Sequence, residues 1–193
     1  MHLSTTALLI TSILPFLAHS LPVTSLVSRQ SPCFIIGTTA LPAETQDIVD
    51  ALASTITCDN SVRPLQGIPD TISGGVKFSS ISFTNSKSQP LDFALQTFST
   101  PSPPSSADLT LFTNRLNNYL AQEAGVRSIG GNLAIKAPKF FLAFQVARIK
   151  TSQGITITDP GQTVEHLLGK VIKNAGRVSQ ATLDEVNRLA KDL

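Results

Sequence analysis

The sequence predicts an α+β fold: a mostly antiparallel sheet of about five strands with about four helices packed on it. Three observations carry that expectation. The runs "VKFSSISF" and "LDFALQTF" place apolar residues at nearly every second position and are joined by "TNSKSQP", a loop of hairpin size. The run "KFFLAFQVARI" is apolar on both alternating faces, as expected of a central strand covered on both sides. Other stretches follow the helical period and open on helix-start residues.

Taken in order, "CFII" (33–36) reads as a short buried strand ended by Gly37. The first helix starts at Pro42, with Ile48, Leu52 and Ile56 four apart and acids in its first turns, and finishes near Cys58. A turn-rich stretch from 58 to 75 follows, closed by Gly74-Gly75, which reads as a flexible entry into a strand. Two paired strands come next, the first carrying Val76, Phe78, Ile81 and Phe83 and the second Leu91, Phe93 and Leu95. The first slips phase at Ser79-Ser80, the mark of a bulge or a bent edge. "STPSPPSS" (99–106) is extended, and Ser106 is placed to cap a helix with Phe112, Leu116, Tyr119 and Leu120 on its buried stripe and Gly125 at its end. The central strand over 139–149 turns through "TSQG" into an edge strand, "ITIT". Asp159 with Gln162 caps a helix over 160–174, and "TLDE" repeats that logic for a last one.

The first twenty residues have a polar start, an apolar centre and small residues at Ala18 and Ser20, which predicts a secretory signal over 1–20. Residues 21–30 lack a periodic pattern and read as a short arm or pro-segment, with Arg29 offering a trimming point. The single domain then runs over 31–193, long enough for one hydrophobic core. Export to an oxidising compartment predicts one disulfide between Cys33 and Cys58. The chain ends "DEVNRLAKDL", which offers no membrane anchor. No Asn-x-Ser/Thr sequon occurs, so any glycan would sit on hydroxyls, with 99–106 the segment best suited to carry it.

From residue 31 onward there are 14 Lys and Arg against 13 Asp and Glu, a balance that calls for no nucleic-acid partner. His166 is the one histidine beyond the signal, so a triad has a single imidazole to draw on, and it falls on a predicted helix at its side or surface. No Gly-x-Ser-x-Gly elbow and no His-based zinc spacing exists, and neither a metal nor a cofactor is expected. Oxygen-only calcium binding near Asp59, Asn60 or Asp70 lacks an EF-hand's spacing, and Asx turns explain those residues more simply. Asp92 is the one acid embedded in a predicted strand, on the face opposite Leu91 and Phe93. No catalytic residue is assigned; Asp92 and His166 are the two candidates. Lys136, Lys139, Arg148 and Lys150 would hold an anion if they met at one sheet face, although protection of sheet edges is the simpler role. With no Trp and a single Tyr inside a helix stripe, the aromatic surfaces that grip polysaccharide are scarce.

The combination of a signal, "SRQSPCFIIGTTALP", a second cysteine in "TITCDN" and a phenylalanine-rich body resembles small secreted proteins of filamentous fungi grouped as a domain of unknown function. The resemblance implies extracellular release by a fungus and transfers no catalytic residue. Two functions are expected on this basis. The first is a secreted binding or interaction protein, effector-like, whose partner is an extracellular protein, a glycan or a small molecule. The second is a small secreted hydrolase or isomerase using acidic residues or His166 in a cleft beside the run 140–149.

Overall fold

The structure, a computed structural model, describes residues 31–193; the expected signal and arm lie outside them. In chain order the elements are α1 (Ala43–Leu52), β1 (Thr57–Asp59), β2 (Asp70–Ser73), β3 (Val76–Lys77), α2 (Pro90–Thr97), α3 (Leu109–Ser128), α4 (Lys136–Ser152), α5 (Val164–Asn174) and α6 (Gln180–Leu189). Short 3-10 turns lie over Phe78–Ile81, Phe83–Asn85, Pro104–Ser106 and Pro160–Gln162. The α+β expectation is therefore corrected. Among the described residues the architecture is mostly helical, and its one sheet is a three-stranded antiparallel patch in the order β1-β2-β3.

The long helices α3 and α4 pack on each other at the centre. The sheet and α1 lie against α3, while α2 and α5 lie against α4, with α6 on α5. The largest correction is α4. Its residues from Phe141 to Ile149 are buried except for Ala143, so it shows no polar face. A helix that is apolar all round belongs inside a protein, and seventeen residues exceed the usual length of a strand. The same composition removes the periodicity by which a helix is recognised.

The run "LDFALQTF" satisfies two periods at once. Leu91, Ala94, Leu95 and Phe98 form a helical stripe, and Leu91, Ala94 and Phe98 are completely buried. Pro90 at the first helical position and Asp92 in the first turn settle the matter for α2. The expected strand over 76–83 stops after Lys77, because buried Asp70 accepts the Ser79 backbone N–H at 2.8 Å and folds the chain into a 3-10 turn. The expected strand over 33–36 is absent: Cys33 and Phe34 form a turn closed by the Ile35 N–H donating to the Pro32 carbonyl at 2.8 Å. "ITIT" has no strand beside it and remains irregular.

The hairpin between β2 and β3 turns on Gly74 and Gly75, with φ of +52° and +81°. Positive φ at both central residues is the tight turn whose twist matches paired strands. A Cβ at Gly74 would also stand 2.2 Å from the Asn114 side chain. Expected caps shift by a few residues: Asp108 rather than Ser106 caps α3, Thr163 caps α5, and Ser179 caps α6.

Gly125 does not end α3. The helix runs on to Ser128, and the missing side chain at Gly125 lets the Phe34 carbonyl approach, since a Cβ there would lie 2.5 Å from it and 2.8 Å from Ile68. Phe34 and Ile68 are both fully buried. Gly125→Ala should therefore lose about 1–3 kcal/mol by crowding, more than the helix propensity of alanine restores. Urea unfolding checks this, and a stabilised variant would show that the contact gives way freely.

The core carries a ring cluster around Tyr119. Phe78 meets it edge-on at 5.0 Å and Phe98 at 5.7 Å, while its hydroxyl donates to the Ile81 carbonyl at 2.7 Å. Burial pushes the Tyr119 phenol far above its usual range. The phenylalanine-rich character of the sequence thus belongs to packing between α2, α3 and the sheet.

Candidate functional site

The apolar faces of α1, α3, α4 and α5 do not close completely. Between them lies a half-open groove of about 600 Å³ whose floor is Ile48, Leu116, Leu120, Phe140, Ala143 and Leu167. Each helix contributes by its own spacing. Leu116 and Leu120 are four apart on α3, and Phe140 and Ala143 three apart on α4, so each pair shares a face. The rim is charged: Glu44 and Asp47 from α1, Asp159 before the 3-10 turn, Lys139 from α4, and His166 and Lys170 from α5. Two flatter depressions adjoin it, one on the outer side of α5 that shares His166 and Lys170.

Lys139 is held from below. Its ammonium lies 2.6 Å from Glu123 Oε2 and 3.8 Å from the centre of the Phe140 ring. Burial draws the Lys139 pKa down, and the Glu123 carboxylate opposes that. Glu123 is itself 4% exposed and accepts a forked pair of bonds from Arg127 at 3.0 and 2.7 Å. This triad welds α3 to α4, and because its single carboxylate answers two cations it keeps one net positive charge.

The two candidates from the sequence do not meet. His166 is exposed in the first turn of α5, where its backbone N–H donates to the Thr163 hydroxyl at 3.3 Å, and its ring has no hydrogen-bond partner among the described residues. Asp92 lies on α2 rather than a strand, outside the groove lining, and accepts a hydrogen bond from the Thr182 hydroxyl at 2.7 Å. Its carboxylate ties α2 to the first turn of α6. Glu44, Asp47 and Lys170 complete the rim. They read in the sequence as ordinary helix-surface charges, and only their position beside Ile48 or Leu167 hinted at an apolar neighbour.

Lys136, Lys139, Arg148 and Lys150, read as guards of sheet edges with an anion site on a sheet face as the alternative, are all on α4, so neither sheet role applies. Arg148 is fully buried and serves the core. Asp59 forms the expected Asx turn, accepting from Ser61 N–H at 3.0 Å and from its hydroxyl at 2.5 Å, while Lys77 approaches to 3.1 Å. The Ser61 hydroxyl first, then the backbone N–H and Lys77, hold the Asp59 carboxyl down to about 2. Any stability it lends is complete above the ordinary carboxylate range and is lost as pH falls through about 2. An NMR titration should show Ser61→Ala raising that midpoint further than Lys77→Ala does, and the reverse order would refute this account. Asp70 binds Ser79, and among the described residues no group of three or more His, Cys, Asp or Glu is placed to hold a metal ion.

No described helix is long and apolar enough to cross a membrane. The Cys33–Cys58 disulfide is formed, with Cα atoms 6.0 Å apart. Residues 35–193 match the family described as "Domain of unknown function (DUF7143)". No curated protein and no solved structure matches the chain.

Proposed function

The chain belongs to the DUF7143 family, and we propose that it is a secreted binding protein whose groove takes a small molecule with an apolar body. The observation that carries this reading is the division of the groove into an apolar floor from four helices and a charged rim. About 600 Å³ falls within the usual size of a small-molecule site. Catalysis is less well supported, because His166, the one imidazole among the described residues, has no carboxylate hydrogen-bonded to its ring and Asp92 is committed to Thr182 elsewhere. A glycan would want exposed Trp or Tyr faces, and Tyr119 is fully buried.

Export is supported by the apolar leader in the sequence and by the disulfide, which persists in oxidising compartments. The resemblance to secreted fungal proteins points the same way. Recovery of protein from culture medium with an N-terminus after Ser20 is the expected result, and an uncut chain in the cytosol would defeat it.

Binding is tested by filling the groove. Ala143 is half-buried on its floor, and Ala143→Trp should weaken binding of the neutral apolar dye Nile red by at least about tenfold, the effect of losing most of an apolar contact area. Circular dichroism should show the helices intact. Unchanged dye affinity in a folded variant would place the site elsewhere.

A further inference from the structure

We infer that the groove selects ligands whose apolar body ends in a positively charged head, and that Glu44 and Asp47 receive that head. This rests on the reading of the groove as a small-molecule site and adds the charge of its ligand. Glu44 and Asp47 are three residues apart on α1, hence on one face, and both line the groove beside Ile48. Neither carboxylate has a hydrogen-bond or ion-pair partner among the described residues. Asp50 on the same helix, by contrast, accepts from the Gln46 amide at 3.0 Å. The helix dipole explains an acid in the first turn, where Glu44 sits, but its effect fades before Asp47 in the second.

The other charges around the groove answer the acids only in part. Asp159 adds a third carboxylate, with one oxygen taken by the Gly161 N–H at 2.7 Å. Lys139 shares the Glu123 carboxylate with Arg127, which leaves that cluster one net positive charge. Lys170 is the one lysine of the lining without an acidic partner among the described residues. Three carboxylates thus face Lys170 and the one net positive charge of the Glu123 cluster across an apolar floor, an excess of negative charge whose field the low polarity strengthens. A carboxylate-headed ligand would meet like charge. An ammonium would meet two acceptors already on one face.

The test uses the mature protein with decylammonium, decanol and decanoate at submicellar concentration near neutral pH, followed by calorimetry. Decylammonium should bind at least about tenfold more tightly than decanoate, with decanol between them, the scale expected of a charge contact at an apolar wall. The double variant Glu44→Gln/Asp47→Asn, at two exposed positions, should shrink that gap to under about threefold and leave decanol unchanged, whereas Lys170→Gln should widen it. Equal or tighter binding of decanoate, or a gap that survives the double variant, overturns the inference while the groove remains a binding site. Failure of all three to bind, together with Nile red affinity insensitive to Ala143→Trp, removes the groove reading and this inference with it.

Discussion

Replacing Arg148 with alanine should cost about 3 kcal/mol of folding stability, a large part of the margin of an ordinary domain. Arg148 is the largest completely buried side chain in the described core. Its guanidinium donates to Gln145 Oε1 at 2.6 Å, to the Thr100 hydroxyl at 3.1 Å and to the Asp192 carbonyl at 2.7 Å, with the Asp192 carboxylate at 3.4 Å. Gln145 in turn donates to the Phe98 carbonyl at 2.9 Å. One side chain therefore pins the proline-rich segment after α2 and the chain end after α6 onto α4. Truncation to alanine opens a cavity, worth about 2–5 kcal/mol for side chains of this order of size. It also orphans Gln145 Oε1, at about 1–3 kcal/mol. Relief from burying a cation offsets part of both; burial already draws the Arg148 pKa down, and Asp192 only partly opposes it. Arg148→Met separates the contributions, since it refills the volume without the hydrogen bonds. Its loss should be smaller, and urea unfolding that finds Met as costly as Ala would assign the effect to the hydrogen bonds alone. A loss below about 1 kcal/mol for alanine would mean that the network is incidental.

The way α4 hides in the sequence has the same cause as the importance of Arg148. Sequence reading detects a helix by the contrast between a wet face and a dry one, and α5 and α6 have enough contrast to be recognised within a few residues of their true ends, while α3 keeps a periodic stripe only in its first half and is buried on every side from Ala121 to Val126. Surrounded by α2, α3 and α5, α4 has none, and its buried Gln145, Arg148 and Lys139 look like the polar beats of a strand. Read as a strand, 139–149 offers "ITIT" a partner, while the two-residue alternation of "LDFALQTF" pairs it with "VKFSSISF" and hides the helix that Pro90 starts. Gly125 misled in a different way: a glycine near a helix end reads as a stop, whereas here it admits the Phe34 carbonyl from 91 residues earlier in the chain. The groove was legible only in fragments. Its floor and rim come from four helices and a turn, so no local pattern could join Glu44 to Lys170, and the rim residues His166 and Lys139 stand out in the sequence for their chemistry rather than their place.

Loss of the Cys33–Cys58 bridge should cost about 3.5 kcal/mol, which the unfolded-chain entropy of closing a loop across 25 positions predicts. What the clip holds explains why this chain cannot make up the loss by packing. Cys33 is exposed and precedes Phe34, which is completely buried beneath the Gly125 approach, while Cys58 sits in the middle of the three-residue edge strand β1. β1 offers only three register pairs to β2, too few to anchor an edge by themselves. The bridge joins the incoming segment to that edge, so Phe34 docking and strand pairing become one cooperative event. Double replacement by serine should therefore lower stability by roughly the same amount as reduction of the native protein with dithiothreitol, and hydrogen exchange should rise first in residues 57–59 and around Phe34 while the α3–α4 pair stays protected until global unfolding. If reduction left the urea midpoint where it was, the ends of the loop would already be held together by packing alone, and the clip would add nothing to the fold.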